Sequence, residues 1–175
     1  MDDKEMDIYE YGSSLAPVVL IQMVGEHDLP GVEREITEIR RLTNMDFQFI
    51  AVKVNNWNQD LSPWNAAAVF GKEEFGNGAK DTLEVLMKLC TDTNKCYYIG
   101  GYSMAGLFAL WTASQTNRFA GIAAASPSIW FPGFLKYLKR QKIQSNCIYL
   151  SLGDKEEKTR NSVMAQVGDC IRQAY

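Results

Sequence analysis

Residues 96–116 read CYYIGGYSMAGLFALWTASQT and pass without a break from a strand-forming run into a helix-forming one. The first part, 96–102, is rich in aromatic and β-branched residues, which suit a strand. The second, 104–116, is apolar nearly all round, as a helix buried in the centre of a domain must be. At the junction stands Gly101-Tyr102-Ser103-Met104-Ala105-Gly106, which has the strand, turn and helix setting of a G-x-S-x-G nucleophile elbow, with Ala105 where glycine is usual. A turn that tight needs small residues two before and two after the serine, and Gly101 and Ala105 meet that requirement. It lifts the Ser103 hydroxyl clear of the sheet and sets the Met104 backbone N–H at a helix start, where partial positive charge stabilises an oxyanion. The bare string also occurs in ordinary structural turns, so the flanking elements carry the reading. Neither G-x-x-x-x-G-K-[ST] nor G-x-G-x-x-G is present to support a phosphate loop.

Outward from the elbow, strands and helices keep alternating. Residues 8–11 suit a short edge strand, and PVVLIQMV (17–24) and FQFIAVKV (47–54) are apolar runs of strand length. Between them, 31–44 spaces Val32, Ile36, Ile39 and Leu42 as one helical face. Residues 79–90 do the same with Leu83, Leu86, Met87 and Cys90. Further strands are predicted at 118–125 and 146–152, a short helix at 132–141, and a last helix over 159–175 with Val163, Val167 and Ile171 on one side. Parallel neighbours need crossover connections, so this order predicts one domain over 1–175 of α/β class, a mainly parallel sheet with helices on both faces. Residues 55–78, rich in Trp, Asn, Gly and Pro, form a loop long enough to suggest a functional role.

Composition narrows the function classes. With 46% hydrophobic and 22% charged residues the chain has the make-up of a globular protein. A net charge of −3 and a pI near 5.2 provide no basic field for nucleic acid. The start, MDDKEMDIYEYG, has no apolar core of signal-peptide length, and no later run approaches a membrane span, so no membrane partner and a cytoplasmic location are expected. Cys90, Cys96, Cys147 and Cys170 form no C-x-x-C pair and read as reduced, mostly buried thiols, with no metal site.

Three segments carry a resemblance: IGGYSMAGLFAL at the elbow, AASPSIWF (124–131) after the next strand, and LSLGDKEE (150–157) after a later one. Over roughly residue 17 to the C-terminus the chain resembles the esterase family that includes enterochelin esterases, feruloyl esterases and the mycolyltransferases. The resemblance implies the α/β-hydrolase fold and hydrolysis of a small-molecule carboxylic ester through an acyl-enzyme on Ser103, without organic cofactor or metal. Acyl transfer to another acceptor would use the same nucleophile. A non-catalytic binding protein on this fold is the rival, favoured by Ala105 and by the histidine problem below. Substrate and oligomeric state have no signature.

The triad acid of such folds follows a later strand, where Asp154, Glu156 and Glu157 are candidates, and the resemblance favours Glu156. An exposed acidic turn beside Lys155 and Lys158 would look the same. The second oxyanion donor is implied near Met23 and Val24, residues that otherwise simply end a strand. Asp60, Trp64 and Trp130 are candidates for lining an acyl or alcohol pocket, or equally for anchoring loops and core. The one histidine, His27, precedes the nucleophile, the wrong chain order for a triad base, and fits a surface turn or pocket rim. Tyr175 interrupts an amphipathic helix with no cap signal, so the fold is expected to be C-terminally incomplete here, with the catalytic histidine some tens of residues on.

Overall fold

The computed structural model describes residues 5–175. Its strands are β1 (Asp7–Tyr11), β2 (Val18–Val24), β3 (Phe47–Lys53), β4 (Cys96–Tyr102), β5 (Phe119–Ala125) and β6 (Cys147–Ser151). They form one sheet in the order β1-β3-β2-β4-β5-β6. Only β1 runs antiparallel, against β3; the other four pairings are parallel. The crossovers carry α1 (Val32–Leu42), α2 (Trp57–Asp60), α3 (Ala79–Leu89), α4 (Met104–Gln115) and α5 (Phe134–Leu138), and α6 (Val167–Ala174) follows β6. The α/β class, the parallel sheet and helices on both faces are as the alternation predicts.

Alternation along each central strand sorts side chains to two cores. Val19, Ile21 and Met23 of β2 pack with Ile99 of β4, Ile122 of β5 and the buried side of α4. On the opposite face Val18 of β2 and Phe47, Phe49 and Ala51 of β3 meet Val32 and Ile36 of α1. From Met104 to Ala113 every residue of α4 is buried, which accounts for its apolar circumference. That helix crosses β4 and β5, so it fixes the sheet centre on which the elbow is built.

Three details depart from expectation. Leu42, on the periodic stripe of α1, is 75% exposed: periodicity identifies a stripe, whereas burial also requires sheet beneath the last turn. The continuous helix expected over 159–175 is a 3-10 turn at Met164–Gln166 followed by α6. The Asn161 side chain accepts the Val163 and Met164 amides, at 3.0 and 3.1 Å, and starts that turn late. The cysteines are all free, but only Cys90 and Cys170 are buried; Cys96 is half-buried and Cys147 exposed. Burial pushes the Cys90 thiol up to about 12, against a weaker opposing pull from Arg118.

Phe108 lies wholly inside α4's core, so Phe108→Ala should cost about 3–5 kcal/mol in urea unfolding. Leu42→Ala should change stability by less than about 0.5 kcal/mol. Equal losses for the two would mean that α1 packs differently from the arrangement described.

Candidate active site

The chain leaves β2 toward β3 on one side and returns to β4 on the other, so the sheet order switches between β2 and β4. Open α/β sheets bind ligands outside the carboxyl ends of the strands at such a point. The carboxyl end of β4 there is Tyr102, and Ser103 follows.

Ser103 has φ 58 and ψ −119, one of two positive-φ non-glycine residues among those described. That conformation costs about 1–3 kcal/mol and persists only where surrounding contacts enforce it. They do so here. A Cβ on Gly101 would lie 2.5 Å from the Ala105 Cβ, and one on Gly106 would lie 3.0 Å from the Gly101 carbonyl and 3.2 Å from Pro127. Strand, helix and the loop after β5 therefore converge where only hydrogen fits. The Ser103 N–H donates to the Ala125 carbonyl (3.1 Å), and the Ser103 carbonyl accepts from the amides of Leu107 and Ser128, both at 3.0 Å. Met104 is the first residue of α4, a position whose N–H has no carbonyl within the helix to receive it.

Two cavities open on Ser103. The larger, about 840 Å³, includes Gln22, Met23, His27, Lys53, Trp57 and Tyr102 in its lining. The smaller, about 180 Å³, is lined by Tyr102, Ser126, Ser128, Trp130, Lys155 and Glu156 among others. Of the three acidic candidates Glu156 alone reaches this site. It is half-buried, accepts the Tyr102 phenol at 2.7 Å and lines the smaller cavity. Glu157 instead accepts Arg172 at 2.6 Å, and Asp154 is exposed. The acid turn is pinned from β5's side: the Ser126 N–H donates to the Ser151 carbonyl (2.8 Å), and its hydroxyl accepts the Gly153 N–H (3.0 Å).

The amides of Met23 and Val24, expected as oxyanion donors, both belong to the ladders of β2. The Cys96 N–H donates to the Pro17 carbonyl and the Val54 N–H to the Val24 carbonyl, so odd residues of β2 face β4 and even ones face β3. The Val24 amide therefore turns away from Ser103. The Met23 amide, in the register that pairs Gln22 with Gly100, is taken by the Gly100 carbonyl. Gly25 N–H donates to Asp28 Oδ2 at 2.8 Å. The following turn leaves Glu26 and His27 on the wall of the larger cavity. His27 is on the pocket rim, with its side chain 84% exposed and 3.3 Å from Asp28.

Of the substrate candidates, Trp130 lines the smaller cavity, 8% exposed. Asp60 and Trp64 line neither. The Asp60 carboxylate accepts the Asn56 N–H (2.9 Å). Trp64 donates to the Pro132 carbonyl (2.9 Å) and packs on Phe131, Phe134 and Tyr137, so both are loop anchors. The residues missed by sequence reasoning are Tyr102, Trp57 and Ser128, whose Oγ is 3.1 Å from Ser103 Oγ. Tyr102 occupies the variable position of the elbow pattern and Ser128 lies inside the SPS segment, so both were in view without a chemical signal of their own. Among the described residues no group of three or more His, Cys, Asp or Glu is placed to hold a metal ion, and no helix is long and apolar enough to cross a membrane.

Solved structures share this arrangement of elements. The chain is similar to the siderophore hydrolase EstA from Aspergillus nidulans, at 16% identity and TM-score 0.59 over 97% of this chain and 78% of that one. It is similar to an IroE-like serine hydrolase from Shewanella oneidensis, at 14% identity and TM-score 0.71 over 96% and 67%. An enterochelin esterase from Shigella flexneri matches at 16% identity and TM-score 0.63 over 96% of this chain but 45% of that one. No family model matches the chain, and no curated protein does. The fold is the α/β-hydrolase fold.

The hydrogen bond that the Tyr102 phenol donates to Glu156, which ionisation would break, holds it above its ordinary value of 10, with burial and the nearby carboxylate charge acting the same way. A pKa raised by folding stabilises the folded state below the ordinary phenol value and loses that contribution as pH rises through the raised one. Ultraviolet titration, with Tyr102→Phe as the blank, should show this phenol ionising above pH 10, and Glu156→Gln should lower its midpoint. An unmoved midpoint would separate the two side chains.

Proposed function

We propose that this protein is a serine hydrolase that cleaves a small-molecule carboxylic ester through an acyl-enzyme on Ser103. The observation that carries the reading is Ser103 held at positive φ between β4 and α4, opening onto two cavities, with Glu156 on the wall of the smaller one. The folds it is similar to include a siderophore hydrolase and an enterochelin esterase, which favours an ester substrate.

In this reaction the Ser103 oxygen bonds to the ester carbonyl carbon while its proton passes to an imidazole, and the carbonyl oxygen takes the negative charge beside the Met104 N–H. Collapse of the tetrahedral species breaks the bond to the alcohol, which leaves with the imidazolium proton. Water then repeats the sequence on the acyl-enzyme, releasing the acid and restoring Ser103. Glu156 accepts the second imidazole N–H and stabilises the imidazolium. The base belongs in the smaller cavity between Glu156 and Ser103, a place that His27, on the wall of the larger one, does not occupy.

A fluorophosphonate probe should label Ser103, faster with imidazole added to the buffer, and Ser103→Ala should abolish the label. With imidazole in the buffer, hydrolysis of a short p-nitrophenyl ester should fall at least about tenfold in Glu156→Gln and by less than about twofold in Asp154→Asn. Labelling at another residue, or none with imidazole present, would favour a non-catalytic binding role.

A further inference from the structure

Ser128 is 1% exposed, yet its hydroxyl lies 3.1 Å from Ser103 Oγ. Distance alone leaves the direction of that hydrogen bond open, but burial favours one. The only hydrogen bond of the Ser128 hydroxyl among the described residues is the one to Ser103. A buried O–H needs an acceptor, and leaving its proton without one carries a desolvation penalty. Ser103, half-buried and facing two cavities, can direct its own proton elsewhere. With Ser128 as the donor and Ser103 Oγ as the acceptor, both protons are accommodated, and this is the direction proposed.

The backbone keeps the pair in register. The Ser128 N–H donates to the Ser103 carbonyl at 3.0 Å, and its carbonyl accepts the Phe131 N–H at 2.9 Å. Two residues earlier, Ser126 stands at φ 41 with its hydroxyl on Gly153 N–H, in the turn that carries Glu156. One short loop thus touches the nucleophile with one serine and the acid turn with the other.

The geometry points to Ser128 as a further member of the catalytic site, a hydrogen-bond donor to the oxygen of Ser103 that both fixes its rotamer and stabilises the negative charge that grows on it. The inference rests on the serine-hydrolase reading above. With Ser128 donating, the Ser103 proton is left to point into the site, toward the base. As that proton departs, the acceptor oxygen becomes more negative and the bond from Ser128 strengthens. Once Oγ is bonded to the acyl carbon it is a weaker acceptor, so the contribution is larger in the transition state than in the acyl-enzyme. The same donor then assists Ser103 Oγ as the leaving group during deacylation, where charge returns to it.

The test measures the rate at which a fluorophosphonate probe labels Ser103, with imidazole present, in the wild type, Ser128→Ala and Ser128→Cys. Alanine removes the donor. Cysteine fills the same space with a weak donor, which separates hydrogen bonding from packing and serves if the alanine variant fails to fold, as judged by its thermal melt. Labelling should slow at least about tenfold in the alanine variant and nearly as much in the cysteine variant. Wild-type rates in both would overturn the role of Ser128 while leaving Ser103 as nucleophile. A wild-type rate in the cysteine variant alone would reduce Ser128 to packing and overturn the inference. No labelling of the wild type would overturn the hydrolase reading, and this inference with it.

Discussion

Gly101 and Ala105 occupy a contact in which a single added carbon would sit 2.5 Å from its neighbour. That approach sets the angle at which β4 becomes α4, and the angle forces Ser103 to φ 58. The strain is supplied by packing: α4 is buried from Met104 to Ala113, and the hydrophobic contribution of that helix far exceeds the cost of one unfavourable residue. Gly106 extends the same closeness to Pro127, which draws the loop after β5 against the elbow. The site is thus a product of small residues at a three-way junction.

From that junction hydrogen bonds run in two directions. Ser128 bonds Ser103 through backbone and side chain, and Ser126 bonds the end of β6 through its backbone and the turn after it through its hydroxyl. Glu156 on that turn is in contact with Tyr102, the residue before Ser103. The Glu156 carboxylate, the Tyr102 phenol, Ser103 and the loop serines make a closed circuit around the smaller cavity, while the larger cavity lies outside it, toward β2. A circuit of this kind holds Glu156 and Ser103 on the wall of one cavity, and in the proposed reaction the base stands between them.

Much of this was legible in the chain. The strands announce themselves as short apolar runs between polar loops, and α4 by its lack of a polar face. Ser103 and its small neighbours could be read because a sharp bend imposes composition on residues close in sequence. The acidic run after β6 was legible, but which of Asp154, Glu156 and Glu157 turns toward β4 was not, and it is Glu156 that meets Tyr102. Asp60 and Trp64 show the opposite limit: a carboxylate and an indole in a long loop look the same whether they line a pocket or anchor the loop, and here Pro132 and Asn56 take their polar atoms. Which strand the amides of Met23 and Val24 face could not be read from the chain, because ladder direction alternates residue by residue with a parity set by the partner strands. Ser128 carried no chemical signal, since the hydroxyl it meets lies twenty-five positions away.

The account rests on Ser103 projecting its oxygen from the bend with the Met104 amide beside the charge that its attack creates. A crystal structure of the protein after reaction with a phosphonate ester tests this directly. Phosphorus should be bonded to Ser103 Oγ, with one phosphonyl oxygen within hydrogen-bonding distance of the Met104 N–H and Ser103 still at positive φ. An adduct whose oxygen points away from that amide, or a Ser103 relaxed to ordinary backbone angles, would contradict it.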